Sequence, residues 1–257
     1  MKIMTFATLL LAAALLIVSS AALAQTSAPP AAYVPAPPMD LRSKVTIPDA
    51  MRPDRDTPES IEVYNHTLSF ASCAAKQNSR LVSKALASAP STSTEDVMFG
   101  RLRTQLNGCN AQSAVNILSL MRGALSEADY KTLVAGEVDP AKIVATANDS
   151  SAFLIAEQKW NTARLANDQT MIDATNCMVV VQPAIAHRVL LTRHGSREEA
   201  AALDELFSKA PDCAGEKRPT NLSAAFLRAF VADSMYRLAT SEWRAKFLPW
   251  TREAAAQ

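Results

Sequence analysis

The residues of this chain best suited to chemistry are four cysteines, three histidines and two segments that each carry an arginine and a tyrosine. The cysteines form two pairs of equal spacing, because Cys109 follows Cys73 by 36 residues and Cys213 follows Cys177 by 36 residues. Cysteines in even number and regular spacing are typical of a disulfide framework in an oxidising compartment. The equal spacing predicts two copies of one disulfide-bonded unit.

Each cysteine pair is placed evenly about a predicted turn. The midpoint of the first pair is residue 91, directly after Pro90, and the midpoint of the second is Gly195. In an antiparallel pair of helices, residues at equal distance from the turn lie level with each other. Among the three possible connectivities, we therefore expect Cys73–Cys109 and Cys177–Cys213. In the chain-entropy model, each loop contributes about 3–4 kcal/mol to stability.

The second repeated feature is an arginine followed eight residues later by a tyrosine, within Met121–Lys131 and again within Leu227–Arg237. The candidate binding residues are therefore Arg122, Tyr130, Arg228 and Tyr236. Eight residues are close to two turns of helix, so arginine and tyrosine share a face. One interpretation is a polar site, present twice, in which the arginine grips an anionic group. The structural interpretation has the arginine bridging to a helix end or to Asp129 or Asp233, with the tyrosine half-buried between units. The sequence favours the second.

Other signatures of catalysis and cofactor binding are missing from the sequence. The three histidines, His66, His187 and His194, form no HExxH motif and are joined by no carboxylate cluster. The chain also lacks CxxC, CxxCH, GxSxG, SxxK and a phosphate-binding glycine loop. His194 precedes a turn glycine, where an imidazole can satisfy the carbonyls at a helix end. We therefore expect no metal, no cofactor and no catalytic residue.

Helices must position these groups, because strand-like alternation is absent over any useful length. Thr57 and Pro58 predict an N-cap and a first helical position. Apolar residues then recur at three, four or seven positions over residues 61–86, and the pattern ends before Pro90. A second helix is predicted over residues 94–106.

The second copy has the same layout. Its first helix is predicted from the apolar pattern over residues 171–189, with a kink at Pro183. Ser196 and Glu199 predict a capping box at the start of the return helix. Three identities connect the copies: Leu86 with Leu190, Glu95 with Glu199, and Leu102 with Leu206. The second copy carries two extra residues before its arginine–tyrosine segment.

The sequence thus predicts an all-α fold of two pseudo-repeated three-helix units, each with a disulfide-stapled hairpin. The units are expected at residues 58–135 and 167–240, within a helical domain of residues 58–257. A short helix at Asp139-Pro140 and a connecting helix over Ser150–Leu165 join them. The C-terminal tail, residues 241–257, contains Trp243, Phe247 and Trp250. We expect it to strap over the core, the alternative being an exposed contact.

Residues 1–24 have the form of a cleaved signal peptide, with Lys2, an apolar run and Ala22-Leu23-Ala24 before Gln25. The expected location is the periplasm or the outside of the cell. Residues 25–57 are predicted to be a proline-rich linker, since eight of the 14 prolines lie at or before Pro58. We interpret the linker as a stiff spacer; a docking motif at residues 35–38 is the alternative.

Charge narrows the function classes. The chain has 26 basic and 25 acidic residues, and removal of the signal peptide takes away one basic residue, which leaves a formal net charge of zero. Neither nucleic-acid binding nor a membrane span in the mature chain is expected. The sequence favours a non-enzymatic interaction or scaffold module whose partner is another envelope protein. The alternative is a small-molecule binder or an enzyme, with the two arginines and two tyrosines around a cleft between the units.

Overall fold

The computed structural model describes residues 56–111, 117–135, 147–215 and 217–240. Every regular element within these ranges is helical, with no strand, so the predicted all-α class is confirmed. The predicted signal peptide, nearly all of the linker, the short helix at Asp139-Pro140 and the C-terminal tail lie outside the described residues.

The described part of the chain contains nine α-helices and one short 3-10 turn at Asn107–Cys109. The helices are α1 Pro58–Leu86, α2 Ser93–Gln105, α3 Leu118–Val134, α4 Ala147–Trp160, α5 Ala166–Val181, α6 Pro183–Leu191, α7 Arg197–Lys209, α8 Pro211–Ala214 and α9 Ala224–Thr240. The predicted connecting helix is α4, which begins and ends a few residues earlier than expected.

Helix α1 begins where the sequence predicts. The Thr57 hydroxyl accepts a hydrogen bond from the Ser60 backbone N–H at 3.1 Å, and the Thr57 N–H donates to the Ser60 hydroxyl at 2.9 Å. This is a capping box with Pro58 at the first helical position. It satisfies two groups that would otherwise lack partners at the start of the helix.

Both long helices are interrupted. Pro183 does more than kink its helix, because α5 ends at Val181 and α6 starts at Pro183 with a bend of 109° between them. Gln182 lies between them with φ −132° and ψ 55°. In α1, Asn78 takes a similar non-helical conformation, φ −154° and ψ 72°. Its side-chain oxygen accepts from the Leu81 N–H at 3.0 Å, which caps the continuing helix.

The disulfides have the predicted connectivity. The structure bonds Cys73 to Cys109 and Cys177 to Cys213, with Cα–Cα distances of 5.5 and 5.6 Å. Two disulfides are compatible with an oxidising environment.

The turns are also where the cysteine midpoints place them. Ser91 and Gly195 both have positive φ, 59° and 79°, and each is followed by a hydroxyl N-cap, Thr92 or Ser196. Because the left-handed region is costly for most residues, Gly195 is the easier of the two turn residues.

Helices α3 and α9 form the centre of the molecule. Every residue from Leu120 to Tyr130 in α3 is buried, and so is every residue from Ala224 to Tyr236 in α9. The two helices cross closely at Gly123, where an added Cβ would lie 2.3 Å from the Cβ of Ala229. Helix α1 packs on α3, and α5 and α6 pack on α9. The arginine–tyrosine segments are therefore interior, and their polar groups need interior partners.

Among the described residues, no single helix has the length and apolar character needed to cross a membrane. Helices α5 and α6 have that length and apolar character only when they are taken together as one bent pair.

Candidate functional site: two buried arginine clusters and an open groove

The Arg122 cluster connects α3 to the first hairpin. Arg122 is 1% exposed, and its Nε donates to Glu95 Oε1 at 2.5 Å. Its Nη1 and Nη2 donate to the backbone carbonyls of Leu86 and Ser88, at the end of α1. The last carbonyls of a helix have no partner within the helix. Arg122 supplies a partner for the Leu86 carbonyl at the end of α1 and for the Ser88 carbonyl just beyond it, and it also binds Glu95 in the first turn of α2.

The Arg228 cluster does the same for the second hairpin. Arg228 is 1% exposed, and its Nη1 donates to Glu199 Oε1 at 2.8 Å. Its guanidinium also donates to three backbone carbonyls at 2.9–3.0 Å: Val189, Leu190 and Thr192. Nε and Nη2 each donate to a different oxygen of Glu127 at 2.8 Å. All five N–H donors of the guanidinium have acceptors within the protein.

The two glutamates of the hairpins act alike. Glu95 Oε2 accepts from the Ser91 backbone N–H at 2.6 Å, and Glu199 Oε2 accepts from the Gly195 N–H at 2.7 Å. The capping box predicted at Ser196 is therefore half correct. The Ser196 hydroxyl accepts from the Glu199 N–H at 3.2 Å as expected, but the Glu199 carboxylate turns inward to the turn residue and to the arginine.

The arginines also face carboxylates on each other's helix. Glu127, five residues after Arg122, binds Arg228, whereas Asp233, five residues after Arg228, lies 3.6 Å from Arg122 Nη1. Asp233 is thus the aspartate near Arg122. Asp129, the other predicted partner, instead accepts from the Ser83 hydroxyl at 3.1 Å. Two reciprocal charge pairs cross the α3–α9 contact.

The tyrosines are more deeply buried than expected. Tyr130 is fully buried, and its hydroxyl is 2.9 Å from His187 Nδ1. Tyr236 is 7% exposed and hydrogen-bonds to Asp129 and Ser83. Burial, together with the Asp129 carboxylate, raises the pKa of Tyr236. Tyr236 therefore stays protonated at neutral pH and is available as a donor to Asp129.

Burial and neighbouring charges have opposite effects on the pKa of each buried carboxyl group, and which effect is larger differs from site to site. Burial raises the pKa of Glu95, and the nearby Arg122 only partly offsets it. At Glu199, burial is outweighed by His194 and Arg228, so the pKa is lowered. At Asp233, burial is likewise outweighed by the surrounding guanidinium groups, and its pKa is also lowered. Glu127 and Glu199 outweigh the effect of burial on Arg228 and raise its pKa, so it stays charged.

His194 is engaged by a carboxylate. Its Nδ1 lies 3.0 Å from both oxygens of Glu199, so it does not serve helix-end carbonyls through that nitrogen as the sequence suggested. The edge of its ring meets Tyr64, with ring centroids 4.9 Å apart. Within the described part of the chain, His194 Nε2 and the Tyr64 hydroxyl are buried without a hydrogen-bond partner.

A groove is open beside the Arg228 cluster. It is a surface cavity of about 220 Å³ between α1, α3 and the turn that follows α6. Exposed Ser69 and Ser72 of α1 lie on one side, and Glu127 and Lys131 of α3 on the other. Lys131 donates to Glu127 Oε1 at 2.6 Å with its side chain 41% exposed. Of the four predicted binding residues, Arg228 is the one that lines this open groove; the other three are buried elsewhere.

The matching face beside the Arg122 cluster is covered. Residues 157–164, at the end of α4 and in the turn after it, form a cover segment. Arg164 donates to Asp233, and Arg237 donates to Glu157 Oε1 at 3.0 and 2.7 Å. The Arg237 guanidinium also lies 4.5 Å above the Trp160 ring. An acid, an aromatic residue and an arginine thus hold the segment in place.

No group of three or more histidine, cysteine, aspartate and glutamate residues in the described ranges is arranged to hold a metal ion. Comparison of the chain with protein-family models, with curated proteins and with solved structures finds no match.

Proposed function

We propose that this protein is a non-enzymatic interaction module of the cell envelope, made of two copies of one disulfide-stapled three-helix unit. The observation that carries the proposal is the internal use of its reactive groups. The guanidinium N–H groups of Arg122 and Arg228 donate hydrogen bonds to carbonyls near helix ends and to buried carboxylates. A group already committed to several internal hydrogen bonds is poorly placed to bind substrate, because each bond must break first.

The pseudo-repeat is supported by contacts that recur at fixed offsets. Equivalent positions in the hairpins are 104 residues apart: the disulfide cysteines, the helix interruptions at Asn78 and Gln182, the turn residues, and the two buried glutamates. Equivalent positions in α3 and α9 are 106 residues apart. Gly123 and Ala229, which meet where the helices cross, are such a pair. Two units related by an approximate twofold axis produce this kind of self-matching contact.

Export is supported by the signal-like first 24 residues and by the two disulfides. The proline-rich residues 25–57 would then hold the helical domain away from its point of export.

The test is to capture partners from envelope extracts, with the mature chain (residues 25–257) as the bait. The reduced and alkylated protein, which has lost its staples, is the matched control. We expect at least one envelope protein to bind the native bait and not the reduced bait. Capture at background level with both baits would contradict the proposal.

A second candidate is a small-molecule binder with its site between the two units. The observation in its favour is the open groove, since it is lined by α1 and α3 of the first unit and by the turn and Arg228 of the second. A thermal-shift screen of metabolites separates the candidates. A saturable rise in melting temperature that is lost when Ser69 is replaced by arginine would favour the binder.

A further inference from the structure

We propose that the open groove is the docking site for a segment of a partner protein that carries an acidic residue, an aromatic residue and an arginine at the spacing of Glu157, Trp160 and Arg164. This inference rests on the proposed interaction function and names the chemistry of the partner. Its template is the cover segment, which shows within the same chain what an equivalent groove accepts.

We call the face of α9 under the cover segment the covered groove. The open and covered grooves are lined by residues at equivalent positions of α3 and α9. Glu127 corresponds to Asp233 and Lys131 to Arg237, each pair 106 residues apart on the central helices. Both acids are almost fully buried, and both bases lie at the rim with side chains 41% and 26% exposed. An acid at the floor and a base four residues later at the rim are therefore present in both grooves.

The covered groove shows how these charges are used. The floor acid Asp233 binds the guanidinium of Arg164, and the rim base Arg237 binds the carboxylate of Glu157. The backbone is held as well, because Gln169 Nε2 donates to the Arg164 carbonyl at 3.0 Å. One peptide segment thus satisfies a floor charge, a rim charge and a side-chain amide.

The open groove lacks such a cover among the described residues, and exposure of the equivalent helix face shows the difference. Ser72 is exposed, whereas its counterpart Asn176 is 1% exposed. Leu68 is half-buried, whereas its counterpart Ile172 is 1% exposed. The face of α1 that borders the open groove therefore has apolar and polar surface left to bury.

Lys131 is the group that yields when the partner binds. In the open groove it donates to the floor acid Glu127, whereas in the covered groove the floor acid Asp233 accepts from Arg164 of the cover segment. A partner arginine would replace Lys131 at Glu127 Oε1, and Lys131 would turn to the partner's acid, as Arg237 does with Glu157. Each incoming charge then meets an opposite one, and the Arg228 contacts stay in place.

The probe is a fluorescently labelled peptide of residues 147–165, added to the mature chain and followed by fluorescence anisotropy. The control peptide has alanine in place of Glu157, Trp160 and Arg164. We expect saturable binding of the probe and binding of the control peptide that is weaker by about tenfold or more.

Two variants assign the binding to the open groove. Ser69→Arg blocks its mouth and Lys131→Ala removes its rim charge, and each should weaken binding of the probe by about tenfold. Ser208→Arg places the same change on the exposed face of α7 and should leave binding unchanged. Melting temperatures of all three variants establish that they are folded.

Absence of saturable binding, or binding that Ser69→Arg and Lys131→Ala leave unchanged, overturns the inference. The second result would mean that the peptide exchanges with the cover segment in the covered groove. A partner that is captured equally by wild type and Ser69→Arg would overturn the inference and leave the proposed function standing. Failure to capture any partner removes the proposed function itself.

Discussion

The Arg122 and Arg228 clusters have the same arginine–glutamate contacts but differ in the acid that faces the arginine from the other central helix. Each arginine binds backbone carbonyls at or just beyond the end of a helix, α1 for Arg122 and α6 for Arg228, and it binds the buried glutamate in the first turn of the next helix. Glu127 reaches Arg228 with both oxygens at 2.8 Å, but Asp233, one methylene shorter, stays 3.6 Å from Arg122. Arg164 of the cover segment completes the environment of Asp233.

The length of the floor acid differs between the two clusters, and so does the way in which its charge is satisfied. Where the floor acid is an aspartate, the gap to the arginine is filled from within the chain, and the groove becomes part of the core. Where it is a glutamate, the carboxylate reaches the arginine directly and also binds Lys131 on its own helix, and no described residue covers the groove. Because a buried charge needs a close partner, the shorter side chain of Asp233 accounts for the additional guanidinium contact that Arg164 supplies.

The largest loss of stability is expected where α3 and α9 cross. Gly123→Val places a side chain where a Cβ alone would be 2.3 Å from that of Ala229, so α3 and α9 must move apart. We expect a loss of about 3 kcal/mol or more in the free energy of unfolding. Urea denaturation measures it, with Gly100→Ala as the control, because an added Cβ at Gly100 meets nothing within 4 Å. Equal stability of both variants would contradict the close crossing.

Removal of the disulfides tests whether the hairpins are equivalent. Both close loops of the same sequence separation, 36 residues. Replacement of Cys73 and Cys109 by alanine should therefore cost as much as replacement of Cys177 and Cys213, about 3 kcal/mol each. Chemical denaturation of the two double variants measures the costs. A difference larger than about 1 kcal/mol, the scale of one hydrogen bond, would mean that the hairpins are not equivalent.

The stability of the protein should depend more on Arg164, the cation at the covered groove, than on Lys131, the cation at the open groove. Arg164→Met removes a buried partner of Asp233 and should cost about 2 kcal/mol, whereas Lys131→Met removes a partly exposed ion pair and should cost less than about 1 kcal/mol. Thermal unfolding compares the two variants directly. A larger loss for Lys131→Met would reverse the assignment of the covered and the open groove.

The smallest effect is the pH dependence of the two turn glutamates. The lowered pKa of Glu199 means that its contribution to stability is present above 4.5 and is lost as pH falls through its folded value. The raised pKa of Glu95 has the opposite sign, so the folded state gains stability as pH falls from neutral toward 4.5.

The cost of Glu199→Gln should therefore shrink below pH 4.5, while the cost of Glu95→Gln grows between neutral pH and 4.5. The changes should be about 1 kcal/mol or less. Urea titrations from about pH 2 to pH 8 cover both windows and test the two signs. If the cost of each substitution changed with pH in the same direction for both variants, the pKa shifts of Glu95 and Glu199 would not have opposite signs.

Much of the architecture could be predicted because it depends on local signals. The cap at Thr57, the turn at Gly195 and the break at Pro183 each follow from the backbone preferences of a few adjacent residues. The disulfide pairing followed from spacing about those turns. The interruption at Asn78 was missed, since asparagine is tolerated in helices and its capping role there depends on the rest of the fold.

The candidate site was only partly predictable, because its partners are distant in sequence. The structural interpretation of Arg122 and Arg228 agrees with their burial, but no sequence pattern distinguishes Asp233 from Asp129 as the partner of Arg122. Glu127 and Arg164 were not singled out at all. Glu127 lies at the same position after Arg122 as Asp233 does after Arg228, and that matched placement was the available signal.

The most direct test of the account is a double-mutant cycle on the reciprocal charge pair between α3 and α9. Arg228→Met and Glu127→Leu would be made singly and together, and their free energies of unfolding measured by urea denaturation at pH 7. We predict that each single variant loses about 3–5 kcal/mol, because it leaves a buried charge without one of its main partners. The double variant should lose at least about 1 kcal/mol less than the sum of the two single losses, although it still lacks the Arg228 contacts with Glu199 and the helix end. Losses that simply add would contradict the claim that these charges couple α3 to α9.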